Sequence, residues 1–240
     1  RWQQVGKLQP RMLYFLENHD EQRIASGFFC GRGACAEPAM IVAATLGTNP
    51  VLIYAGQELG ETGMDVEGFS GMDGRSSIFD YWGIRSLQAW TNHGKFDGKL
   101  LSDDQKELRV FYRTLLTIAR NEPAITDGLM YDLEYAQQEG FNKHEQFAFL
   151  RKHNDDILLI VTNFDDKQVD VPVTLPKEAF EYLQQDEYPT AEAVDLLTKK
   201  TYSFAFTSDA PVRITLPAWK GAILKITPNT KKRKRLGKHK

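Results

Sequence analysis

Two apolar runs of strand length lie near the start of the chain, and each ends abruptly in polar residues. Leu13–Leu16 stops at Glu17-Asn18-His19-Asp20, and Val51–Tyr54 stops at Ala55-Gly56-Gln57-Glu58-Leu59-Gly60. Between them Pro38–Leu46 predicts a helix, with Pro38 suited to the first helical position and Gly47 to the residue past the end. Strand, helix, strand predicts a buried parallel pair joined by a right-handed crossover. The loop from Glu17 to about Cys35 is long for such a connection, and long ordered loops usually carry function.

A second helix is predicted over Ser102–Arg120. Ser102 and Gln105 form a capping box, and Asp103 and Asp104 suit the positive helix end. Leu108, Phe111, Tyr112, Leu115, Leu116 and Ala119 then recur at intervals of three and four, making one apolar face, and Asn121-Glu122-Pro123 stops the helix. The intervening Ile78–Trp90 is ambiguous between helical and extended spacing. Met64–Gly74 reads as a loop. Its Asp65, Glu67 and Asp73 do not match the twelve-residue calcium-loop pattern, and a solvated loop explains them better.

From about Ala124 the period shortens. Met130–Tyr135, Gln146–Arg151, Ile157–Asn163, Val169–Leu175, Ala193–Leu197, Thr201–Phe206, Val212–Leu216 and Ala222–Ile226 are short β-rich runs with turn residues between them. Such spacing predicts an antiparallel sandwich. Pro172 lies inside the fourth run and demotes it to an edge strand. The expected organisation is α/β followed by all-β, with residues 1–124, then 125–228, then a basic tail over 229–240.

Composition narrows the function classes. A net charge of −2 gives the chain no bias toward nucleic acid or membrane, and no apolar run reaches the length of a membrane span. The tail Lys231-Lys232-Arg233-Lys234-Arg235 reads as a solvated charge run. Cys30 and Cys35 are read first as free thiols and second as a disulfide. A metal site would need more ligands than His19 alone. Cysteine usage therefore leaves the compartment open.

The chemistry concentrates where the first run ends. In α/β folds, ligands bind at the C-terminal mouths of strands. There Asp20 can accept hydrogen bonds from hydroxyls or oppose a developing positive charge, and His19 can donate. The plainer alternative is that Asp20 caps the next turn or pairs with Arg23 while His19 packs.

The motifs resemble those of the α-amylase superfamily, glycoside hydrolase family 13. Phe15-Leu16-Glu17-Asn18-His19-Asp20 is similar to its seventh-strand motif. Val51–Glu61 is similar to its eighth strand and following loop, and Gly74–Trp82 to the stretch after that strand. The resemblance implies the last strands and helices of a (β/α)8 TIM barrel, then an antiparallel β-sandwich. It implies a retaining glycosidase acting on oligo- or polysaccharide α-glucans, with transglycosylation or a non-catalytic amylase-like binding protein as alternatives. By resemblance Asp20 is the transition-state stabiliser. Asn18, His19, Arg23, Tyr54 and Glu58 line or support the sugar site, Glu58 equally as a partner of Arg23 or Arg32. The family's nucleophile and general acid sit on earlier strands, and nothing upstream of Leu13 could hold them. The chain is therefore expected to be the C-terminal portion of a larger enzyme. No cofactor or metal is expected in it, any calcium belonging to the missing part, and its oligomeric state is not legible.

Overall fold

The computed structural model describes residues 6–65, 72–78 and 83–228. Glu67, Phe79–Trp82 and the basic tail, all singled out above, lie outside the described residues. The chain divides into two compact units, Arg1–Ala119 and Arg120–Lys240.

In the first unit, strands β1 (Tyr14–Phe15) and β2 (Val51–Leu52) pair in parallel, Tyr14 opposite Val51 and Phe15 opposite Leu52. Helix α1 (Glu37–Thr45) joins them and packs against β1. The strands are shorter than the apolar runs, and they are not fully buried. Leu13 is 49% exposed, Phe15 44% and Leu52 36%. A parallel pair is buried only where helices and further strands cover it, and here α1 packs against β1 while Leu13, Phe15 and Leu52 stay in solvent. Helix α2 spans Arg85–Thr91, settling the ambiguous stretch as helical at its end.

Helix α3 (Asp103–Asn121) starts where the capping box places it. The Ser102 Oγ accepts from the Gln105 amide at 3.2 Å, and the Gln105 side chain accepts from the Ser102 amide at 3.0 Å. Its stripe of Leu108, Tyr112, Leu115 and Ile118 is buried. Leu108 sits over the crossing of Gly33 and Gly60. A Cβ on Gly33 would lie 2.8 Å from the Gly60 Cα and 2.6 Å from Leu108 Cδ2, so only glycine permits this approach.

The second unit begins with the short helix α4 (Pro123–Thr126) and is otherwise mostly antiparallel sheet. β3 (Leu129–Asp132), β4 (Gln146–His153), β5 (Asp156–Asn163), β7 (Tyr188–Asp195), β8 (Thr201–Phe206) and β10 (Gly221–Pro228) form one sheet, in the order β3-β4-β5-β10-β7-β8. β6 (Val169–Val173) and β9 (Val212–Leu216) form a separate two-stranded sheet. Val171, Val173, Val212, Ile214 and Leu216 from the small sheet share one core with Ile157, Leu159, Val161, Ala193, Ala222 and Leu224 from the large one, which is the sandwich expected. β5 is buried on both faces, which is why Ile157–Val161 is continuously apolar rather than alternating. Pro172 lies in β6, which has β9 as its one partner, the edge position its missing N–H demands.

Two helices are absent from the sequence reading, the single turn of α4 and a helix in the sandwich. Helix α5 (Lys177–Leu183) follows β6 and buries Ala179, Phe180 and Leu183 in the sandwich core. Its span of 7 residues is too short to display a helical period convincingly.

Candidate functional site at the mouth of the parallel pair

The polar residues after β1 and β2 leave the same edge of the parallel pair. Glu17, immediately after the apolar run, turns inward and is 3% exposed. Its Oε2 meets Arg23 Nη1 at 2.8 Å, and its Oε1 accepts from the Ile24 amide at 2.9 Å. Arg23 is fully buried. Its Nε donates to Ser76 Oγ at 3.1 Å and its Nη2 to the Ala55 carbonyl at 2.7 Å, while the guanidinium lies 4.1 Å over the Tyr54 ring. One cation thus ties together the ends of both strands and the segment around Ser76. Burial pushes the Glu17 carboxyl above its ordinary range, and the Arg23 guanidinium opposes that shift.

The Glu17–Arg23 pair closes a loop containing the candidate residues. Inside it the Asn18 side-chain oxygen accepts from the amides of Asp20 and Glu21, at 2.8 and 3.0 Å, an Asx turn that presents the next two side chains outward. The Asp20 carboxylate is 72% exposed, and the His19 imidazole is 45% exposed with Nε2 at 3.5 Å from Asp20 Oδ1. An exposed carboxylate beside an imidazole on a braced turn can accept from vicinal hydroxyls and stabilise a nearby positive charge.

The sequence-predicted residues fall into two groups. Asp20 and His19 face outward. Asn18, Arg23 and Tyr54 hold the frame: Asn18 bonds the turn's backbone, Arg23 pairs inward, and the Tyr54 hydroxyl donates to the Ser76 carbonyl at 2.7 Å. Glu58 is half-buried and is not the partner of Arg23. Nor does Arg23 pair with Asp20, the plainer alternative of the sequence reading. Glu17 is the partner that reading overlooked. The available signal was an acid placed where an apolar run ends, with a cation six positions on.

Gln57, after β2, is also structural: its side-chain amide donates to the Tyr112 hydroxyl at 2.9 Å and so fixes the β2 loop to α3. Cys30 and Cys35 are joined in a disulfide, correcting the order in which free thiols came first. Asp65 pairs with Arg85 at 3.1 Å and Asp73 faces Arg75 at 3.6 Å. Among the described residues no three His, Cys, Asp or Glu side chains gather as a metal site, and no helix is long and apolar enough to cross a membrane.

No protein-family profile and no curated protein matches the sequence. Solved structures do match the fold. AmyP in complex with maltose superposes with a TM-score of 0.60 at 20% identity, over 93% of this chain and 43% of that one. The maltogenic α-amylase AmyB of Thermotoga neapolitana gives 0.60 at 14%, over 94% and 45%. A trehalulose synthase mutant, MutB D415N, gives 0.52 at 21%, over 90% and 43%. The chain spans less than half the length of these structures, and over that span its fold is the one found in α-amylases.

Proposed function

We propose that this chain is the C-terminal portion of a retaining α-glycoside hydrolase of the α-amylase type, with β1 and β2 as the last two strands of its barrel. The observation that carries the reading is the outward-facing Asp20–His19 pair on a turn braced by buried Glu17 and Arg23. The fold shared with α-amylases supports it. Retaining glycosidases act through two carboxyl groups about 5–5.5 Å apart and an oxocarbenium-like transition state. Those two groups belong to the preceding part of the parent enzyme. Asp20 accepts hydrogen bonds from ring hydroxyls of the reacting sugar and opposes the positive charge that develops on it, and His19 donates to the same sugar. Such contacts strengthen toward the transition state and so raise turnover as well as affinity.

The substrate class is an α-glucan, starch or maltooligosaccharide. Hydrolysis is the first reading and transglycosylation the second, the latter favoured by the trehalulose synthase among the structural matches. The disulfide fits an oxidising compartment, outside the cytoplasm. The deciding experiment is Asp20→Asn in the full-length enzyme, with reducing-sugar release and melting temperature measured together. Loss of turnover at an unchanged melting temperature supports the reading. Near-normal turnover overturns it.

A further inference from the structure

The sandwich carries an aromatic cluster that the mouth of the parallel pair does not use. Tyr131 comes from β3, Tyr135 from the turn that follows, and Tyr182 from α5. The Tyr131 ring lies 6.3 Å from that of Tyr135 and 5.5 Å from that of Tyr182, centroid to centroid. The Tyr131 and Tyr135 hydroxyls are hydrogen-bonded at 2.6 Å. Tyr131 rests on the core, whereas Tyr135 is 62% exposed and Tyr182 55% exposed. Three elements thus converge to hold two exposed rings against a third that rests on the core.

We infer that Tyr131, Tyr135 and Tyr182 form a glycan-binding platform on the sandwich, separate from the Asp20 mouth. The chemistry around the rings selects the ligand. Tyr135 and Tyr182 expose aromatic rings with a hydroxyl at the tip, matching a sugar's C–H face and rim of hydroxyls. Glu178 stands one turn before Tyr182 on α5, and Glu181 is its neighbour, both exposed, offering acceptors for those hydroxyls. These carboxylates disfavour a phosphate-bearing ligand. They also suit a purely apolar protein surface poorly, because such a partner would strand them without water. A neutral polyhydroxylated ring meets both requirements. The inference takes its ligand class, an α-glucan, from the function proposed above, but it does not depend on the role of Asp20.

The test is native electrophoresis of the 240-residue chain through gels containing soluble starch, with maltoheptaose as competitor. The chain should be retarded. Tyr135→Ala and Tyr182→Ala should each weaken retardation about fivefold or more, and Leu100→Ala, at an exposed apolar residue outside both sites, should leave it unchanged. Circular dichroism verifies folding, and Tyr182→Ser serves if Tyr182→Ala does not fold. Absence of retardation in the unmutated chain, or full retardation in both tyrosine variants, overturns the platform. Retardation lost on Asp20→Asn alone places binding at the mouth and likewise overturns it, while a catalytically silent Asp20→Asn in the full-length enzyme would sink only the function proposed above.

Discussion

The four residues Glu17, Asn18, Asp20 and Arg23 divide the work of one turn. Glu17 and Arg23 are buried and clamp its ends, Asn18 shapes its backbone, and Asp20 is left in solvent. A side chain this exposed contributes little to packing, so Asp20→Asn should change stability by less than about 0.5 kcal/mol. In the full-length enzyme the same change should lower turnover by orders of magnitude, because each ~1.4 kcal/mol of lost charge stabilisation is tenfold in rate. His19→Ala should be milder, since it removes a hydrogen bond and not a charge. Glu17 behaves in the opposite way. Its carboxyl is raised above the ordinary range by burial, so the folded state holds its proton to higher pH than the unfolded chain. The stability tied to this group is therefore present below the ordinary carboxylate range and is lost as pH rises through the raised value. Across that window the melting temperature of the native protein should fall as pH rises, and that of Glu17→Gln should fall less, because the titrating group is gone. Identical slopes in both proteins would contradict the shift.

Two elements are held by contacts that their own sequences do not announce. Gly128 joins α4 to β3, and a Cβ there would stand 2.2 Å from the Ala124 carbonyl oxygen and 2.7 Å from that of Lys152. Arg151, buried in β4, donates to the carbonyls of Ala124 and Ile125 at 2.9 and 2.6 Å and so fastens the same short helix. Gly128→Ala must displace backbone on both sides and should cost about 1–3 kcal/mol, read as a lowered urea midpoint. An unchanged midpoint would mean the helix is looser than these contacts require. In the first unit, the Cys30–Cys35 bond closes a small loop that precedes α1. Thiol labelling of the native protein should find no reactive cysteine, and reduction should lower stability by about 2 kcal/mol, the entropy of so short a loop.

At the scale of the molecule, the two units differ in how well they satisfy themselves. The sandwich encloses its own core, from Leu133 to Ile226. The first unit presents Leu13, Phe15 and Leu52 to solvent along its parallel pair. We expect the 240-residue chain by itself to release no reducing sugar from starch above a heat-killed control, and the full-length enzyme to do so. Release by the chain alone would show that it already holds a nucleophile and an acid, and would end the reading of Asp20 as one part of a larger site.

Periodicity and turn chemistry are local, and what depends on them was legible in the sequence. The capping box starts α3 at Ser102, each of the eight β-rich runs contains part of a strand though Ala193–Leu197 catches only the end of β7, and the edge position of Pro172 follows from its lack of an N–H. The resemblance to α-amylase motifs rested on short local patterns too, and the shared fold agrees with it. What the sequence left open depends on groups far apart in the chain. Arg23 pairs with Glu17 and not with Asp20 or Glu58 because Ser76 and the Ala55 carbonyl hold the guanidinium inward, beside the buried Glu17 carboxylate. The three tyrosines from β3, the turn after it and α5 become neighbours only when α5 docks against β3. Pairing and proximity of this kind cost chain entropy and are repaid by burial, so they are settled by the tertiary structure and not by any window of sequence.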